Sequence, residues 1–245
     1  MEKRENIYGK RALAVSPLLL LLDEPFVSLD NPVREKLRLD LLRIGREDRT
    51  PLIFVTHDVE EAFILADEVV VLNNGRVEQT GTKEDIFYRP QTHNVAKFLG
   101  VKNIFHGKVT DIRAGEGEMT VWVEKKGFRF SIPYREGAVV GESVHFCIRP
   151  EEIMVLKEDR PIKKNLRANI FTGKIIRIVE KGAEHTVFFK QSRDDYDFEI
   201  SIPNLAYRSL RIKEGQLVKV AFKWESIWLI PEGTCQSGHV TSTTN

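Results

Sequence analysis

The chain has 245 residues, 42% hydrophobic and 30% charged, with 37 basic and 36 acidic side chains and a net charge of +1. The length allows two ordinary domains, and the balanced charge gives no overall field to favour nucleic acid or an anionic membrane. Cys147 and Cys235 lie far apart with no CxxC, which argues against a disulfide framework or a zinc site and fits a reducing compartment. No apolar run reaches the roughly 18 residues needed to span a bilayer. The basic, then leucine-rich, N-terminus is broken by Ser16-Pro17 and ended by Asp23-Glu24, so it does not read as a secretion signal.

In chain order, Arg11-Ala12-Leu13-Ala14-Val15 reads as the last turn of a helix stopped by Ser16-Pro17. Leu18 to Leu22 is five consecutive leucines, expected as a strand buried on both faces of a parallel sheet. Asp23 and Glu24 stand at its C-terminal end, where open α/β sheets place ligands. Successive strand residues point to opposite faces, so one carboxylate can serve a metal ion while the other faces a water. The plainer alternative is a core strand followed by a solvated acidic turn.

Asp30 or Asn31 can cap the next helix, with Pro32 at its first position. Val33, Leu37, Leu41 and Ile44 recur at helical spacing and predict an amphipathic helix over 31–46. Pro51 to Val55 is a second buried strand leading to Thr56-His57-Asp58. Asp58 caps a helix with Val59, Ala62, Phe63 and Ala66 inward, and 68–72 is a third strand. Asn73-Asn74-Gly75 makes a tight turn into a returning strand. Thr82 with Asp85, and Thr92 with Gly100, bound two short helices. The order strand–helix–strand–helix–strand predicts a parallel sheet with helical cover.

After Gly100 the pattern changes to short alternating strands with glycine punctuation, placing a domain boundary near 101–103. The second half repeats itself. Asn103-Ile104-Phe105-His106-Gly107-Lys108 returns as Asn169-Ile170-Phe171-Thr172-Gly173-Lys174, and Ser131-Ile132-Pro133 as Ser201-Ile202-Pro203. Gly141-Glu142-Ser143-Val144 returns as Gly215-Gln216-Leu217-Val218. The offsets of 66, 70 and 74 imply loops that lengthened between two copies of a small all-β unit. Residues 157–167 join them, and 233–245 read as a disordered tail.

Arg11–Ala14, Leu20 to Pro25, Ser28-Leu29-Asp30, Thr56-His57-Asp58-Val59-Glu60-Glu61-Ala62 and Asn74-Gly75-Arg76 occur in the order seen in ABC-transporter ATPase subunits. The C-terminal repeats resemble the paired TOBE modules of importer subunits, and the resemblance covers nearly the whole chain. It implies an α/β fold. Residues 1–100 would be the C-terminal part of a P-loop NTPase domain with a partial parallel sheet. An all-β, OB-like TOBE domain would follow over 101–232, with repeats 101–157 and 168–232.

It further implies that Asp23 holds Mg²⁺, that Glu24 polarises the water attacking the ATP γ-phosphate, and that His57 is the switch histidine. Asp30 would communicate across a nucleotide-sandwiching homodimer, whose contacts also involve the TOBE modules. Membrane permease subunits and, indirectly, a solute-binding protein are the further partners. Location at the inner face of the cell membrane, cytoplasmic and peripheral, follows. Nucleic acid is not an expected partner.

Two departures qualify this. No G-x-x-x-x-G-K-[ST] occurs, so the sequence holds no phosphate-cradling loop. The Leu-Ser-Gly-Gly signature is also missing, as expected of an N-terminally truncated form that is inactive in ATP hydrolysis by itself.

The stretch Ser209 to Gly215 and the segment Phe222-Lys223-Trp224-Glu225-Ser226 resemble modules that bind molybdate or tungstate. Ser201, Lys223 and Ser226 would hold such an oxyanion, although Glu225 would repel it. The alternative for Lys223 and Glu225 is a solvated strand face. Trp122, Trp224 and Trp228 read as packing residues. The alternative function is a non-hydrolysing oxyanion-binding or regulatory protein using the repeats.

Overall fold

The computed structural model describes residues 17–45, 50–157, 166, 168–192 and 195–231. The helix expected at 11–15, most of the 157–167 join and the tail 233–245 lie outside the described residues. The elements, in order, are β1 (Leu20–Asp23), α1 (Asn31–Arg43), β2 (Leu52–Val55), α2 (Val59–Leu65), β3 (Glu68–Asn73), β4 (Arg76–Thr82), α3 (Lys83–Tyr88) and α4 (His93–Phe98). Then come β5 (Asn103–Arg113), β6 (Glu118–Val123), β7 (Phe128–Pro133), β8 (Ser143–Ile148), β9 (Met154–Leu156), β10 (Ile170–Glu180) and β11 (Glu184–Lys190). They are followed by β12 (Phe198–Pro203), α5 (Asn204–Leu210), β13 (Leu217–Ala221) and β14 (Ile227–Ile230). Contacts divide the chain into two units: 1–70 with 80–87, and 71–79 with 88–245.

In the first unit, β1 and β2 pair in parallel, Leu20 opposite Leu52 and Asp23 opposite Val55. The expectation of a strand buried on both faces is not met. Leu20 packs with Phe26, Leu41 and Ile44, but Leu18 is 94%, Leu21 66%, Ile53 57% and Val55 56% exposed. Only the face toward α1 is covered, because the described elements put helices on one side. Nor does β3 join this sheet; it pairs with β4 in a separate two-stranded hairpin. The turn joins them through Asn74 (φ 49°) and Gly75 (φ 74°), the two left-handed residues such a hairpin needs.

The helix caps follow the sequence. Asp30 accepts from the Val33 N–H at 3.2 Å, Asp58 from Glu60 N–H at 2.8 Å, and Thr92 from Val95 N–H at 3.0 Å. Helix α1 is α-helical over Asn31–Arg43, and the expected end at 46 lies outside the described residues.

The hairpin tip groups with the β-rich unit, so the division falls before the 101–103 boundary read from the sequence. The cause is local. Glu78 accepts from Asn73, Thr92 and Asn94, while Gln79 bonds the Arg89 carbonyl and the Gln91 N–H.

The β-rich unit holds two five-stranded sheets, ordered β14-β8-β5-β6-β7 and β12-β11-β10-β13-β9. Each repeat lends its last strand to the other: β9 pairs with β13, and β14 with β8. One core spans both, built on phenylalanines including Phe105, Phe130, Phe146, Phe171, Phe198 and Phe222. The two modules therefore share their interior.

The repeated Asn and Gly have physical reasons. Asn103 bonds the Glu199 N–H and C=O at 2.8 and 2.9 Å, and Asn169 bonds those of Ser131 at 2.9 and 2.7 Å, so each repeat clamps the other. A Cβ on Gly107 or Gly173 would lie 2.6 or 2.3 Å from a backbone oxygen of the paired neighbouring strand, β6 or β11. The clamps also correct the alignment. They make Ser131 the counterpart of Glu199, not of Ser201. A shift of two residues keeps every side chain on its face, so the pattern of alternation hid it.

Candidate functional site

The carboxylates of Asp23 and Glu24 stand where β1 ends. The Glu24 N–H donates to the Val55 carbonyl at 2.9 Å, extending the β1–β2 pairing by one residue. Its φ of 44° then turns the chain sharply, and Ser28 follows at φ 68°. Left-handed backbone costs a non-glycine residue on the order of 1–3 kcal/mol and persists where the surroundings impose it. The turn brings Glu24 Oε1 to 2.8 Å from His57 Nδ1, across 33 residues of sequence. The hydrogen bond that His57 donates to the Glu24 carboxylate, then the charge of that carboxylate, raise the His57 pKa above 6.5, with smaller contributions from Asp58 and Glu61. The imidazole is 77% exposed, so solvent screens the pair.

Behind His57 lies a network that sequence patterning missed. Glu61 is the buried residue of α2, although the helix was expected to bury Val59, Ala62, Phe63 and Ala66. Its carboxylate accepts from the Thr56 hydroxyl at 2.6 Å and lies 3.7 Å from the Arg38 guanidinium. Thr56 Oγ1 in turn accepts from the Asp58 N–H at 3.0 Å. Both neighbours of His57 are thus held. The detectable signal was Arg38 in α1, on the same helical stripe as Leu41, a charge where a leucine would fit.

Asp23 is exposed and makes no side-chain hydrogen bond or ion pair among the described residues, which leaves its oxygens free for a hydrated cation. Among the described residues no group of three potential metal ligands occurs. Asp30 is the α1 cap. Chemically, the edge offers one free carboxylate and a carboxylate–imidazole pair able to hold a proton or orient a water.

Of the three predicted oxyanion residues, both serines give their hydroxyl to a carboxylate. Ser201 donates to the Glu184 carboxylate, and Ser226 donates to Glu152 at 2.6 Å. Lys223 is exposed; the Ser226 N–H donates to its carbonyl at 3.2 Å, but among the described residues its side chain makes no hydrogen bond to either serine. A hydroxyl already given to a carboxylate faces the wrong charge for an anion.

No family model matches the chain. It is 38% identical over 183 residues to the spermidine/putrescine import ATP-binding protein PotA of Nitratidesulfovibrio vulgaris, covering 74% of this chain and 48% of the relative. It is 39% identical over 229 residues to the sulfate/thiosulfate import ATP-binding protein CysA 2 of Shewanella oneidensis, covering 93% and 59%. Among solved structures, the cytoplasmic molybdate-binding protein ModG overlaps 54% of this chain and 97% of its own, with TM-score 0.47 and 16% identity. The chain spans about half the length of the curated relatives it matches. Its homologues are ATP-binding subunits of ABC-type import systems.

Proposed function

We propose that this chain supplies the hydrolytic edge and the β-rich domain of an ABC importer's ATP-binding subunit. The carrying observation is the Glu24–His57 contact at the ends of adjacent parallel strands. When bound, Mg·ATP supplies the phosphoanhydride bond whose cleavage drives transport. Asp23, exposed and unpartnered among the described residues, fits a water-bridged Mg²⁺ ion. Glu24 holds the attacking water and takes up its proton density. His57 is fixed to Glu24 through Nδ1, which leaves Nε2 for an anionic oxygen. Thr56, Glu61 and Arg38 keep the imidazole in place.

The phosphate-holding loop has no counterpart in this sequence, so binding and turnover need residues beyond these 245. A second copy, permease subunits and the inner face of the cell membrane complete the proposed setting. The solute stays at the level of class. Relatives named for a polyamine and for an oxyanion match to a similar degree. Molybdate or tungstate, as solute or regulator, has only the sulfate-importing relatives behind it, since Ser201 and Ser226 face carboxylates. A non-hydrolysing oxyanion-binding role has less support for the same reason.

The test is Mg²⁺-dependent phosphate release by the purified chain. Background rates are expected. Turnover that disappears in Glu24→Gln would show that the chain is a complete ATPase.

A further inference from the structure

The outward face of β10, β11 and β13 carries cations that form no ion pair among the described residues. Alternation sends Phe171, Ile175, Val187, Phe189, Val218 and Val220 into the core. Lys174, Lys190 and Lys219 then point the other way, and the bulge between Ile175 and Arg177 turns Arg177 to the same outward face, opposite Phe188. Lys174 stands directly opposite Lys190, and Lys219, opposite Thr172, is its diagonal neighbour on the far side. Like charges opposite one another destabilise an antiparallel pair. Among the described residues no carboxylate forms an ion pair with any of the four cations. Arg177 instead lies over the Phe188 ring at 4.1 Å. The acids on this face lie away from the cations: Glu199 beyond Phe188 on β12, and Glu184 at the far end of β11, where it accepts from Ser201. Leu217, opposite Lys174, is 60% exposed, and Met154 on β9 39%.

The equivalent positions of the first repeat are Lys108, Asp111, Trp122 and His145. Two copies of one fold have thus diverged on this face, and the second has become basic although the whole chain carries a net charge of only +1.

We propose that this face docks an acidic polypeptide segment with apolar side chains between its carboxylates. A single oxyanion needs donors converging on one point. Here the ammonium groups stand on neighbouring strands about 4.8 Å apart, on an open surface. That layout suits a row of charges. The exposed Leu217 and Met154 among them suit a polypeptide better than a sugar–phosphate backbone.

The probe is a fluorescein-labelled 12-residue peptide of repeating Glu-Leu-Glu-Ser, titrated with the full chain by anisotropy at low salt. Binding is expected, weakening ~10-fold or more in Lys174→Glu/Lys190→Glu and with rising salt. Lys219→Gln is expected to weaken it less, and Lys108→Glu, on the first sheet, to leave it unchanged. Native folding of each variant is read from tryptophan fluorescence. No binding by the native chain, equal binding by the double variant, or an equal loss in Lys108→Glu overturns the proposal. Tighter lysine-dependent binding of a single-stranded oligonucleotide or of phosphatidylserine vesicles also overturns it, by assigning the face to another class of partner.

Discussion

The two units of the chain bury their apolar residues in different ways. The β-rich unit closes a single interior around both repeats, with Phe130, Phe198 and Phe222 wholly inside. The α/β unit packs Leu20, Phe26, Leu41 and Ile44 together and leaves Leu21, Ile53 and Val55 more than half exposed. Yet the proposed chemistry lies in the sparsely buried unit. Its carboxylates stand at a strand edge, with one strained backbone turn and a thin layer of packing behind them. The β-rich unit carries the exchanged strands, the asparagine clamps and a basic outer face. The larger core and the proposed chemistry lie in different parts of the chain, and substitutions should separate them.

The largest effect is expected from Phe198→Ala. Truncating a fully buried phenylalanine typically costs about 3–5 kcal/mol. Trp122, Trp224 and Trp228 all lie in the β-rich unit, so urea unfolding followed by tryptophan fluorescence reports on it alone. Leu41→Ala should leave that transition where it is. A shared shift would mean that the two units unfold together.

A smaller loss, about 1–3 kcal/mol, is expected from Asn169→Leu, which strands the buried N–H and C=O of Ser131. Asn103→Leu should cost a similar amount. If either is neutral, the clamps do not hold the repeats together.

Much of this arrangement was readable in the residues. The caps at Asp30, Asp58 and Thr92, the Asn74-Gly75 hairpin and the β repeats depend on local chemistry, which sequence records directly. The parts that were missed depend on distant partners. Strand exchange between repeats leaves every strand with the same alternation, so it makes no mark on the pattern. The two-residue shift of β12 is silent for the same reason. The leucines of β1 suggested two covered faces, but hydrophobicity alone does not say which neighbours are present. Glu61 was missed because a charge at a buried helix position becomes interpretable only once Arg38 and Thr56 are seen beside it. Ser201 and Ser226 had suitable hydroxyls, and the carboxylates that occupy them lie 17 and 74 residues away.

The smallest effect concerns charge at the candidate site. The His57 pKa is raised above 6.5 by Glu24. A raised folded-state value means that the pairing is fully present below the ordinary histidine range and is lost as pH climbs through the raised value. Imidazole NMR titration should place His57 above 6.5 in the native chain and bring it down in Glu24→Gln. Global stability should barely respond, because the pair is screened by solvent. An unchanged His57 titration would mean that the contact does not form in solution.

The central claim is that the Glu24–His57 edge is competent for ATP hydrolysis once a phosphate-binding loop is provided. The Shewanella oneidensis relative aligns with 93% of this chain, and its matching 229 residues can be replaced by those of this chain. Steady-state ATP turnover by the folded chimera is the direct measurement. The expected result is Mg²⁺-dependent hydrolysis that falls ~100-fold or more in both Glu24→Gln and His57→Ala. A chimera that hydrolyses ATP equally well with either substitution would contradict the assignment of this edge.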